Sequence, residues 1–239
     1  MDTTKRYKAV FFDLGGTLRI ALLEEPWMRH ARRKMAEIAG APVPYEEFYQ
    51  MIEERYEPYR KWALEENKES GDEELWCKWL LPDYDQERIK QVCHELSFQY
   101  RQCKGRRVVV DGGVEVIKGL RERGYRLGII SNLIGENEVP DWLEDDGLDQ
   151  YFDAVILSSV CHMRKPCFEI YQLAAQKMGV ELSECVSVAD NIKRDIPGAK
   201  KAGVGCNIIF SSPEKKHPVE FTEENRPDAV VEDFREILD

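Results

Sequence analysis

Apolar positions along the chain follow two regimes. The stretch Tyr7-Lys8-Ala9-Val10-Phe11-Phe12-Asp13-Leu14-Gly15-Gly16-Thr17-Leu18 leaves a charged tail, becomes a continuous apolar run, and breaks at an Asp followed by two glycines. A strand buried on both faces reads as such a run, whereas a half-exposed strand alternates. The pattern predicts a first strand over 7–13 with Asp13 at its carboxyl end, where open α/β sheets place their ligands. From about Leu23 to Gly105 apolar residues instead recur at helical spacing among Glu, Lys, Arg, Tyr and Trp. Trp27, Ala31, Met35 and Ile38 mark a helix opened by Pro26 and ended by Gly40. Phe48, Ile52, Tyr59 and Ala63 mark a second, kinked or broken near Pro58. A short helix over 75–81 and a longer one through Ile89, Val92, Cys93, Leu96 and Tyr100 complete the stretch, which contains no predicted strand. The four tryptophans Trp27, Trp62, Trp76 and Trp79 are assigned to its interior.

Near Arg107 strands and helices begin to alternate. Strands are predicted over 126–131, 153–158, 185–190, 205–210 and 228–231. Helices run through Val116 to Leu120, 140–146, Phe168 to Met178, 196–202 and 234–238. This alternation predicts βαβ units and a doubly wound parallel sheet, an α/β fold. The expected division is an α/β core of residues 1–20 and 106–239 with an all-helical cap, residues 21–105, inserted after the first strand. Ser211 to Arg226, polar and Pro-containing, is the segment expected to be least ordered.

Composition narrows the function without naming it. A formal net charge of −11 over 239 residues argues against a non-specific binder of nucleic acid or anionic membrane. No apolar stretch approaches the ~18–20 residues that span a bilayer. The seven cysteines are scattered and odd in number, which fits free thiols in a reducing cytoplasm. The four histidines are also scattered and suggest no zinc site.

The chemistry lies at strand ends. Three strands finish in Asp13, Ser131-Asn132 and Asp190. Lys165 follows the third core strand in Met163-Arg164-Lys165-Pro166, and Asp195 lies shortly after Asp190. A parallel sheet brings these ends to one edge.

This ordered set resembles the haloacid dehalogenase (HAD) superfamily of hydrolases with a C1-type helical cap. Their first motif, Asp-x-Asp-x-Thr, reads here Asp13-Leu14-Gly15-Gly16-Thr17. The second-motif Ser or Thr is Ser131, the third-motif Lys is Lys165, and the acidic fourth motif is Asp190 with Asp195. The resemblance implies that Asp13 is a nucleophile forming an aspartyl-phosphate, with Ser131 and Lys165 assisting. It implies Mg²⁺ held by Asp13, the Gly15 carbonyl, and Asp190 or Asp195. Gly16, Thr17, Ser131, Asn132 and Lys165 would serve the phosphoryl group. The implied substrate is a small, anionic, phosphorylated metabolite.

The chain departs from this pattern at Gly15. Phosphatases of the family carry a second Asp there as general acid and base, and losing such a group commonly costs about 10²–10⁴ in rate. One reading is a phosphohydrolase favouring leaving groups that need little protonation. A second is a 2-haloacid dehalogenase, whose halide needs no proton, although those enzymes work without metal and this chain keeps both fourth-motif acids. The phosphonate-cleaving branch also lacks the acid but uses a cap lysine. A further reading is a metabolite-binding or regulatory protein with little turnover.

Overall fold

The computed structural model describes residues 6–211 and 221–239. The N-terminal apolar run forms β1 (Ala9–Phe12), buried along its whole length. Alternate side chains enter opposite faces of the sheet. Val10 and Phe12 join one apolar cluster with Leu127, Val188 and Phe234. Ala9 and Phe11 join another with Ile130, Tyr171 and Met178. Burial on both faces accounts for the unbroken hydrophobic pattern.

β1 lies inside a six-stranded sheet. Parallel to it run β4 (Arg126–Ser131) on one side and β6 (Cys185–Ala189) on the other. The sheet order is β5 (Ala154–Leu157), β4, β1, β6, β7 (Cys206–Phe210), β8 (Ala229–Val231), with every pairing parallel. Strand order reverses between β1 and β6, so Asp13 and Asp190 flank the crevice where a doubly wound sheet binds its ligand. Helices α5 (Gly113–Glu122), α6 (Glu138–Asp145), α7 (Ser158–Cys161), α8 (Glu169–Met178) and α9 (Ile192–Ala202) lie in the connections.

Between β1 and β4 the chain builds a helical region: α1 (Glu25–Ala39), α2 (Tyr45–Glu66), α3 (Asp72–Glu74) and α4 (Gln86–Gln102). Its own apolar cluster includes Met35, Phe48, Ile52, Leu75, Trp76 and Leu96. Three expectations change here. α2 passes through Pro58 without a break. Pro58 is exposed, and Ile52, Tyr59 and Ala63 anchor the opposite face, so packing outweighs one missing backbone hydrogen bond. The segment Leu75–Leu80 forms a π-helical turn following α3. Trp27 is 41% exposed, with its indole N–H donated to Gln102, whereas Trp76 is fully buried. A face amphipathic at helical spacing does not distinguish its rim from its centre.

One element was absent from the sequence pattern. β2 (Arg19–Leu22) pairs antiparallel with β3 (Arg106–Val109), forming a ribbon at the root of the helical region. All seven cysteines are free. Among the described residues no helix is long and apolar enough to cross a membrane. Most of the Ser211 to Arg226 segment lies outside the described residues.

Candidate active site

Asp13 ends β1, and its backbone N–H donates to the Val188 carbonyl of β6 at 2.9 Å. The side chain is 4% exposed. Lys165 Nζ lies 2.7 Å from Asp13 Oδ1 and 2.7 Å from Asp195 Oδ1, and it also donates to the Ile130 carbonyl at 2.9 Å. Thr17 Oγ1 donates to Asp13 Oδ2 at 3.4 Å. Burial alone would push the Asp13 carboxyl up, but the Lys165 and Arg194 charges reverse this and hold it below the usual carboxylate range. Asp13 therefore stays ionised at neutral pH, as a carboxylate nucleophile requires.

Asp190, just past β6, and Asp195, in the first turn of α9, bring two further carboxylates. One oxygen from each of Asp13, Asp190 and Asp195 lies within 4.8 Å of the others. Asp195 is not the helix cap: Asn191 is, accepting the Arg194 N–H at 3.0 Å. Three converging carboxylates form an all-oxygen donor set that suits a hard divalent cation such as Mg²⁺.

A residue absent from the sequence-derived site adds a second cation to the three carboxylates. Arg194 Nη2 lies 3.1 Å from Asp13 Oδ2, 3.0 Å from Asp195 Oδ2 and 3.6 Å from Asp190 Oδ1. Burial lowers its affinity for a proton, but Asp195, Asp13 and Asp190 together raise it. Little in the sequence pointed to it, because Asp190 precedes the helix cap Asn191 and adjacent helix positions such as 194 and 195 do not share a face. A motif defined by its acids hides it.

The other candidates separate by role. Ser131 ends β4 buried, and its hydroxyl makes no hydrogen bond among the described residues. The Asn132 side chain is committed to the main chain of Lys165. Its Nδ2 donates to the Lys165 carbonyl and its Oδ1 accepts the Lys165 N–H, both at 2.8 Å. Asn132 thus aims Lys165 and uses one of the two hydrogens on its Nδ2 to do so. Gly16 requires correction as well. Its φ is +85°, and its N–H donates to the Arg19 carbonyl at 2.8 Å, so it closes a turn and has no donor for a phosphate. Gly15 is exposed, and a Cβ built there meets nothing within 4 Å.

A family model described as haloacid dehalogenase-like hydrolase matches residues 7–203. The chain belongs to this family. It is therefore an enzyme of the hydrolase class. It is 31% identical over 206 residues, 82% of this chain and 79% of the relative, to a glyceraldehyde 3-phosphate phosphatase of Pyrococcus abyssi. Its fold is shared with a HAD phosphatase from Thermococcus onnurineus, at TM-score 0.60 and 24% identity, covering 97% of each chain. A 2-haloacid dehalogenase from Pseudomonas syringae has the same fold at TM-score 0.67 and 21% identity, covering 97% of this chain and 98% of the other. At these identities the two structures speak for the fold alone.

Proposed function

We propose that this HAD hydrolase is a divalent-metal-dependent phosphatase that cleaves a small phosphorylated metabolite through an aspartyl-phosphate on Asp13. The observation carrying this reading is the ionised, buried Asp13 clamped by Lys165 inside a three-carboxylate cluster. Release of halide needs no metal, so a three-carboxylate donor set favours the phosphatase over the dehalogenase reading. Phosphatase activity in the Pyrococcus abyssi relative, as its name states, points the same way.

An Asp13 oxygen attacks phosphorus, the P–O ester bond breaks, and its electron pair leaves on the alcohol oxygen. Water then attacks the phosphorus of the aspartyl-phosphate, releasing phosphate and restoring the carboxylate. Lys165 offsets negative charge on the nucleophile and on the transferring group. Ser131 offers its unbonded hydroxyl to a phosphoryl oxygen. Asp13, Asp190 and Asp195, with the Gly15 carbonyl, would hold Mg²⁺, which supplies charge neutralisation for the dianionic ester. Gly15 supplies no proton to the departing oxygen, so solvent must do so.

The test is phosphate release from a panel of phosphate esters with Mg²⁺ or EDTA. Turnover that needs the metal and disappears in Asp13→Asn is expected. Metal-independent chloride release from a 2-haloacid, with no phosphate release, would replace this reading.

A further inference from the structure

A cavity of about 160 Å³ separates the helical region from the sheet. Tyr56, Tyr100, Arg101 and Lys104 line it from the helices, and Asn132 and Arg164 line it from the sheet side. It shares a wall with the active site, since Asn132 holds the Lys165 main chain and Arg164 is its neighbour in sequence. The three cations on this wall all have carboxylate partners: Arg101 with Glu138, Lys104 with Glu53, and Arg164 with Glu69. None of those carboxylates lines the cavity. The cavity is thus lined by the three cations and by none of their carboxylate partners.

More positive charge stands behind that wall. Glu138, 4% exposed, is shared between Arg101 and Arg19. Arg19 is 7% exposed, and its Nε is buried without a hydrogen bond. The hydrogen bonds of Arg107 go to the main-chain carbonyls of Arg101 and Gly105, and among the described residues it has no carboxylate partner. Burial and the neighbouring Arg101 charge push Arg107 down to about 10. Three guanidinium groups face Glu138, and Asp146 also acts on Arg19, so three cations against two carboxylates leave one positive charge uncompensated, in a place where low dielectric magnifies it.

Building on the phosphatase reading above, we propose that the leaving group of the substrate is a short carbon chain bearing a carboxylate, which Arg101, Lys104 and Arg164 receive. A cavity of this size holds roughly five water volumes, enough for a chain of about two or three carbons and its carboxylate. A guanidinium fork matches a carboxylate with two parallel hydrogen bonds. Glyceraldehyde 3-phosphate, named in the relative, ends in a neutral aldehyde, which offers this wall no charged group.

The experiment compares 3-phosphoglycerate with glycerol 3-phosphate, which differ in carboxylate against alcohol. Binding to Asp13→Asn protein with Mg²⁺ is read by calorimetry, independently of turnover. The carboxylate ester should bind at least about tenfold tighter. Adding Lys104→Met or Arg101→Gln should shrink that preference to below about threefold, with 3-phosphoglycerate losing more affinity than glycerol 3-phosphate. Lys104→Met serves as the second variant because Arg101 also anchors Glu138. Equal or tighter binding of glycerol 3-phosphate, no binding of either ester, or a preference that survives both substitutions overturns the proposal. Turnover by the wild-type protein is measured separately. A binding preference without phosphate release from any ester would sink the phosphatase reading, whereas release without the preference would sink only the carboxylate assignment.

Discussion

At the scale of single residues, Arg194 and Gly15 set this site apart. Arg194 contacts the same three carboxylates that would hold a metal, so guanidinium and divalent cation compete for one cluster. Arg194→Gln removes the competitor. The expected outcome is Mn²⁺ binding tightened by about tenfold or more, measured by electron paramagnetic resonance. In EDTA the same variant should melt lower than wild type, because three carboxylates lose a counter-charge, and Mg²⁺ should restore more of its melting temperature. Unaltered Mn²⁺ affinity would reject the competition. Gly15 poses the complementary question. Its missing Cβ has open space, with no positive φ to forbid a side chain, so Gly15→Asp tests chemistry without steric cost. It should raise turnover of alkyl phosphates by about 10²-fold while scarcely changing p-nitrophenyl phosphate, whose leaving group needs no proton. An equal change for both esters would show that proton donation does not limit the enzyme.

At the scale of elements, the strand ends were readable because each is a buried parallel strand stopped by a polar residue. Asp13 and Ser131 follow apolar runs, and Asp190 follows one interrupted only by Ser187, and the topology does the rest. The ribbon of β2 and β3 was not readable. Its strands are four residues each, partly exposed and Arg-bearing, and their partners lie on either side of the entire helical region. The Asn132 contact to Lys165 was hidden for a similar reason, since it depends on how the 162–166 loop folds back on β4. Another such contact fixes that loop. Glu69, between α2 and α3, is 1% exposed and accepts hydrogen bonds from Tyr59, Ser158 and Arg164. Replacing it strands the Arg164 guanidinium in a largely buried position. Glu69→Ala should cost about 3–5 kcal/mol in urea denaturation and lower kcat as Lys165 loses its support. A loss below about 1 kcal/mol would mark the pair as equivalent to a surface bridge.

At the scale of the molecule, apolar packing is divided and polar contacts join the parts. The helical region packs on its own cluster, which Ile134 alone joins from the sheet side among the described residues, and the sheet packs on others, while three buried acids reach across. Glu69 meets Arg164 and Ser158. Asp72 accepts the Glu136 N–H at 3.1 Å and also receives Ser97, which in turn receives the Trp76 indole at 2.8 Å. Glu138 meets Arg101 at the end of α4 and Arg19 at the start of β2. Apolar joints resist separation, because opening them exposes hydrocarbon to water, whereas ionic joints regain hydration when they part. Such joints would let the helical region and the sheet part at their boundary without either unfolding, as a site covered by its helical region would require. Glu138→Gln weakens one joint while leaving both apolar clusters whole. Hydrogen exchange should then quicken in residues 98–102 and 133–138, while β1, β4 and β6 keep wild-type protection. Faster exchange spread evenly over the sheet would instead make Glu138 part of a single cooperative core, and the separation of the two parts would fall with it.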